Sequence, residues 1–135
     1  MNYKLISKLL GYILLIETAF MAPSLILSLV EKDGSASGFY IPMALAIFLG
    51  LILINLKVEK KSLSPRDGIL IVTASWILVS LVGALPLFIA AKMTYVDSFF
   101  EIVSGFTTTG ATVISGIESY PRSVILWRSI THWIG

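Results

Sequence analysis

The chain has 135 residues, of which 56% are hydrophobic and 13% charged, with a mean hydropathy of +0.91. Soluble domains carry about 25% charged residues, so this chain lacks the polar surface to cover a soluble globule, and its charges are bunched between long apolar runs as in membrane proteins. With no cysteine and one histidine, His132, a disulfide framework, a thiolate site and a zinc or haem centre are excluded; the net charge of +2 sits between apolar segments rather than on a patch, so no nucleic-acid partner is expected.

In chain order, the first apolar run, about 5–30, exceeds the roughly 7–15 residues of a signal-peptide core and lacks an A-x-A-like site, so the N-terminus is expected to be retained. Its stretch from about 9 to 30 is long enough to cross the hydrocarbon layer, which takes about 20 helical residues. "EKDGSASG" follows as a polar turn, a second span covers about 39–56, and "KVEKKSLSPRDG" precedes a third span at about 69–91. Lys4 and Lys8 at the start, and Lys57, Lys60, Lys61 and Arg66 in the second loop, lie on one side of the membrane. The first loop has Lys32 offset by Glu31 and Asp33, so the N-terminus and second loop are predicted to be cytoplasmic. Lys60, Lys61 and Arg66 read as a topology signal, with docking to an acidic partner or lipid as the alternative.

Beyond the third span, "DSFFEIVSGF" is apolar with a helical pattern and too short to cross. Ser98 and Glu101 have capping-box spacing, which predicts a helix starting at Ser98 and lasting about 8 residues, or about 12 Å. "TTTGAT" stops it, "ISGIESYPRS" returns the chain to a polar surface, and a last apolar segment begins near Ser123. A half-length helix, an irregular strand and a return to the same face describe a re-entrant loop. Irregular backbone at membrane depth persists only inside protein or against a water-filled cavity, where something satisfies its polar groups.

A cation that sheds water needs a cage of oxygens, and backbone carbonyls turned to one axis supply one. Gly110 permits the required dihedrals, threonine hydroxyls add oxygens, and the half-helix points its negative C-terminal end towards the cavity. Thr108-Thr109-Gly110 matches the T-V-G core of potassium filters, with Thr for Val, so the stretch reads as a filter strand working through its backbone. Gly105 and Gly110 have phosphate-loop spacing, but Ala111-Thr112 stands where Lys-Ser/Thr is required. No nucleophile–base pair or metal-ligand cluster is visible, so no enzyme and no bound cofactor is expected.

"RDGILIVTASWILVSLVGALPLFI", "DSFFEIVSGFTTTGATV" and "LWRSITHWIG" together resemble the first membrane–pore–membrane repeat of the Trk/Ktr potassium transport superfamily. The two preceding helices resemble its TrkH-type branch. The resemblance implies an all-α membrane protein with a helical hairpin at 1–66 and a first membrane–pore–membrane repeat at 67–135. It further implies four repeats around a potassium-selective pore in the cell (inner) membrane, a homodimer, and a cytoplasmic nucleotide-binding ring that gates transport. By position it makes Thr107, Thr108, Thr109 and Gly110 the filter; where channel filters continue Tyr-Gly, this chain has Ala111-Thr112.

Other charges have two readings each. Glu17, mid-span, is an ion or proton relay, or a hydrogen-bonding group between helices. Glu101 attracts cations or caps the half-helix; Asp97 adds negative potential at the entrance or caps. Arg128 and His132, four apart and near Trp127 and Trp133, form an interior ion pair or gating contact, or anchor a tryptophan belt at the outer interface. The last segment has about 13 residues, short of the roughly 20 of a span. The sequence is therefore expected to be part of a longer transporter; a homotetramer is the alternative. Against pore-forming transport stands a non-transporting scaffold or accessory subunit whose loop only packs.

Overall fold

The computed structural model describes residues 2–58 and 62–135, so the readings placed on Lys60 and Lys61 lie outside the described residues. Among the described residues every regular element is helical: α1 Tyr3–Glu31, α2 Ser37–Ile54, α3 Pro65–Gly83, α4 Leu85–Ala90, α5 Tyr95–Phe106 and α6 Arg122–Ile134, with a 3-10 turn at Ile117–Ser119. Tyr3–Glu31, Ser37–Ile54 and Pro65–Ala90 are long and apolar enough to cross a membrane, with hydropathies of 2.1, 2.2 and 2.3. Their outward faces stay apolar, as Phe48, Leu51, Val72 and Ile77 show, which suits lipid rather than water.

The third span departs from the expected one at both ends of its first helix. It starts at Pro65 rather than near 69, because the Ser64 hydroxyl accepts from the Asp67 N–H at 3.3 Å while Asp67 accepts from the Ser64 N–H at 3.0 Å. It is also two helices, not one. Pro86 has no N–H to give to the carbonyl four residues back, and the neighbouring Gly83 carbonyl accepts the Trp127 indole N–H at 2.9 Å instead.

Lipid offers no hydrophobic drive between spans, so helices associate through close packing. Gly11 and Gly50 make that approach possible where α1 meets α2: a Cβ on Gly11 would lie 2.9 Å from the Gly50 carbonyl oxygen. α1 also lies along α3 and α6, α2 packs on α4, and α5 is held among α3, α4 and α6. Leu14, Met21, Phe39, Leu87, Ile102 and Trp127 form the shared core. Asp67 lies against the Asn2 backbone, which puts the chain start and the start of α3 at one end of the bundle, where Lys57 and Arg66 are exposed.

At the other end, Asp33 in the α1–α2 turn gathers three serines. Ser28 and Ser35 hydroxyls donate to its Oδ1 at 2.7 and 2.6 Å, and Ser123, at the start of α6, donates to Oδ2 at 2.9 Å. Arg122 adds an exposed pair with Glu31 at 3.2 Å. The hairpin and α6 are thereby joined outside the spans.

Candidate ion site at the end of the short helix

α5 starts earlier than its expected cap. The Thr94 hydroxyl accepts the Asp97 N–H at 3.2 Å and donates to the Asp97 carboxylate at 2.7 Å, so a Thr94 cap starts the helix at Tyr95. Ser98 lies inside the helix, and its buried hydroxyl donates to the Thr94 carbonyl at 2.9 Å, as interior serines do. The helix has 12 residues, about 18 Å at 1.5 Å per residue. Asp97 is half-buried at its start, and its carboxylate is engaged in the cap at the end opposite Thr107.

This earlier start releases Glu101 from the capping role given to it above. Its side chain is fully buried and works on the strand beyond the helix. Oε1 accepts from the Thr112 hydroxyl at 2.6 Å, the Val113 N–H at 2.6 Å and the Ile114 N–H at 3.3 Å. Oε2 accepts from Arg128 Nε at 2.8 Å, an ion pair with side-chain exposures of 0% for Glu101 and 18% for Arg128. Arg128 is thus the interior ion-pair residue, and His132 sits with Nδ1 2.9 Å from its carbonyl oxygen. Trp127 is no part of a tryptophan belt: it is fully buried with its indole on α3, while Trp133 is 91% exposed.

The four residues named from sequence lie where α5 ends. The Thr107 and Thr108 N–H groups turn back to Val103 and Gly105 carbonyls at 2.9 Å each, and Thr109 N–H reaches Ser104 at 3.0 Å. Thr108 and Gly110 both have positive φ, 55° and 77°, which swings the chain out of the helix. The Thr107 hydroxyl donates to Val103 at 2.7 Å and lies 2.8 Å from the Thr109 hydroxyl. Ser104, which sequence reasoning passed over, donates to the Ala111 carbonyl at 2.6 Å. Among the described residues, no donor reaches the backbone carbonyls of Thr107, Thr108, Thr109 or Gly110, and all four residues are exposed.

The two ends of this segment are therefore treated differently. Beyond Ala111 the N–H groups are tied to a buried carboxylate; before it the carbonyls are open. Among the described residues no group of three or more His, Cys, Asp or Glu stands together, so oxygens for a cation at this place are carbonyls and threonine hydroxyls.

Three membrane-crossing helices and a short helix ending in open carbonyls define a multi-pass all-α membrane protein. The chain belongs to the TrkH family of cation transport proteins, which matches residues 37–135. It is 35% identical over 138 residues to the Trk system potassium uptake protein TrkH of Halomonas elongata, with 100% of this chain and 29% of that protein covered. It is 33% identical over 139 residues to the TrkH protein of Escherichia coli, again covering 100% and 29%. The crystal structure of the potassium transporter TrkH from Vibrio parahaemolyticus superposes with a TM-score of 0.91 at 31% identity, over 99% of this chain and 29% of that one. The chain thus spans less than a third of the length of these relatives, which are transport proteins rather than enzymes.

Proposed function

We propose that the chain is the first pore-lining part of a potassium uptake transporter, with α5 as a re-entrant pore helix. Thr107, Thr108, Thr109 and Gly110 present backbone carbonyls to K+. The observation that carries this is the split just described: carbonyls free of donors at 107–110, and a strand braced behind them by Glu101 and Ser104. A filter needs oxygens turned to the ion and N–H groups turned away. Later repeats of a longer polypeptide complete the ring in this reading, since one such turn encloses no ion. The bilayer is the cell (inner) membrane, with the N-terminus cytoplasmic because the exposed Lys57 and Arg66 share its end. The complete transporter pairs as a homodimer and meets a cytoplasmic nucleotide-binding regulatory subunit.

The test is Gly110→Val in the full transporter, reconstituted in vesicles. A Cβ at Gly110 meets nothing within 4 Å, so the substitution acts through the φ of 77° rather than by a clash in this chain. Potassium flux lost, or sodium admitted, supports the filter. Unchanged flux and selectivity leave the loop a packing element, as in an accessory subunit.

A further inference from the structure

The break between α3 and α4 frees more carbonyls than its proline explains. Pro86 has no N–H for Val82. No backbone N–H crosses the break to the Leu81 or Gly83 carbonyls either, and the ladder resumes only with the Phe88 N–H on Ala84 at 3.0 Å. Side chains from two other helices serve these carbonyls instead. The Tyr95 hydroxyl, at the start of α5, donates to the Leu81 carbonyl at 2.9 Å, and the Trp127 indole of α6 donates to the Gly83 carbonyl at 2.9 Å. Glu17 of α1 lies against the same glycine, its Oε1 2.9 Å from where a Cβ on Gly83 would stand. Among the described residues neither of its oxygens has a hydrogen-bond partner, so the break draws its side-chain donors from α5 and α6.

We propose that the break is a hinge, and that Tyr95 and Trp127 are its two latches, holding α4 and α5 as one body against α3. A fixed proline kink accounts for Val82 but not for the release of Leu81 and Gly83. A carbonyl served by its own helix is held by that helix, whereas one served from elsewhere keeps its donor only while the other helix stays in place. The moving body is defined by packing: Phe88 of α4 and Tyr95 of α5 meet edge to face with ring centroids 5.8 Å apart. Two side chains of α5, Ile102 and Phe106, close on the hinge itself, 3.1 and 3.4 Å from a Cβ on Gly83. A swing about the break therefore carries Phe106, the last residue of α5, and with it the turn that begins at Thr107. An effect of that swing on potassium rests on the filter reading; the hinge does not.

The test measures electron–electron distances between nitroxide labels in the natural full-length protein, in phosphatidylcholine nanodiscs and a background otherwise free of cysteine. One pair, Val72→Cys in α3 and Phe100→Cys in α5, reports the hinge; a control pair, Tyr12→Cys and Phe48→Cys, spans α1 and α2, and all four positions are exposed. Trp127→Phe keeps an aromatic ring and loses the N–H. It is expected to show a second hinge-pair distance roughly tenfold more populated than without the substitution, with the control pair unchanged. Tyr95→Phe, which loses one oxygen, is expected to show the same second distance and serves where Trp127→Phe fails to fold. Adding Pro86→Ala, which returns an N–H to the break, is expected to reduce that population. An unchanged hinge-pair distance in either latch variant overturns the proposal. Equal broadening of the control pair, or a second distance that Pro86→Ala leaves untouched, overturns it too. The readout involves no ion flux, so its failure leaves the filter reading where it stands.

Discussion

Arg128 Nε stands 2.8 Å from Glu101 Oε2 with the carboxylate fully buried, and the other oxygen of that carboxylate holds the strand leaving the Thr107–Gly110 turn. One ion pair therefore links α6, α5 and the segment around Thr112. Removing one partner of a buried pair costs about 3–5 kcal/mol, because the other is left uncompensated. Glu101→Gln is expected to lower stability by that order and to reduce potassium flux with it. Glu101→Gln combined with Arg128→Met is expected to recover part of the stability, since no stranded charge remains. Thermal unfolding of the four proteins in a double-mutant cycle measures the coupling; strictly additive losses would mean the pair does not act as a unit.

Gly105 sets how closely α5 approaches α6. A Cβ there would collide with the Thr131 hydroxyl and lie 3.3 Å from His132 Nδ1. Thr131 is itself fully buried, its hydroxyl donating to the Arg128 carbonyl at 2.7 Å. Gly105→Ala is expected to push the helices apart at a cost of about 1–3 kcal/mol, the usual range for overpacking. Thr131→Ala removes the colliding oxygen, so the double variant should be more stable than Gly105→Ala alone. A double variant no better than the single would place the damage elsewhere than this contact.

The spans were legible because each is a long apolar run, and no tertiary knowledge is needed to see that. The break in the third was also written in the chain, as Gly83-Ala84-Leu85-Pro86, but hydropathy alone runs straight through it. The start of α5 is not readable locally because two pairs with cap spacing stand four residues apart, Thr94/Asp97 and Ser98/Glu101, and local spacing cannot choose between them. The choice is made at long range: Glu101 gains Arg128, 27 residues on, and two backbone N–H groups. A signal for this did exist. Glu101 and Arg128 are lone charges in otherwise apolar segments, and such charges pair. The positions of Thr107 to Gly110 could be read from the sequence, but the support by Ser104 and Glu101 could not.

Asp33 gives its end of the bundle a pH dependence. Partial burial raises its carboxyl, but the hydrogen bonds from Ser35, Ser28 and Ser123 outweigh that and hold it below its ordinary value of 3.8. A depressed folded value means stability that is fully present above the unfolded value and lost as pH falls through the folded one. The difference in unfolding temperature between wild type and Asp33→Asn should be constant near neutrality and shrink from about pH 5 downward. A difference that stays constant to pH 2–3, or grows there, would show that the carboxylate charge is not what holds the α1–α2 turn to Ser123.

Thr108 and Gly110 make opposite demands on the turn that the proposed function makes a filter. Both have positive φ, 55° and 77°, yet only Gly110 adopts it freely. A β-branched residue in that region is a backbone outlier, strained by roughly 1–2 kcal/mol. Thr108→Gly should therefore relieve strain and raise the unfolding temperature, while Gly110→Ala, with open space around its Cβ, should lower stability by roughly 1 kcal/mol through the backbone alone. Both should lower the preference for potassium over sodium: the first frees the turn from a fixed conformation, and the second moves the carbonyls. Unfolding temperatures and paired rubidium and sodium uptake by reconstituted vesicles test this together. If Thr108→Gly is both more stable and equally selective, the strain at Thr108 serves no purpose in the filter, and the carbonyls are positioned by Ser104 and Glu101 alone.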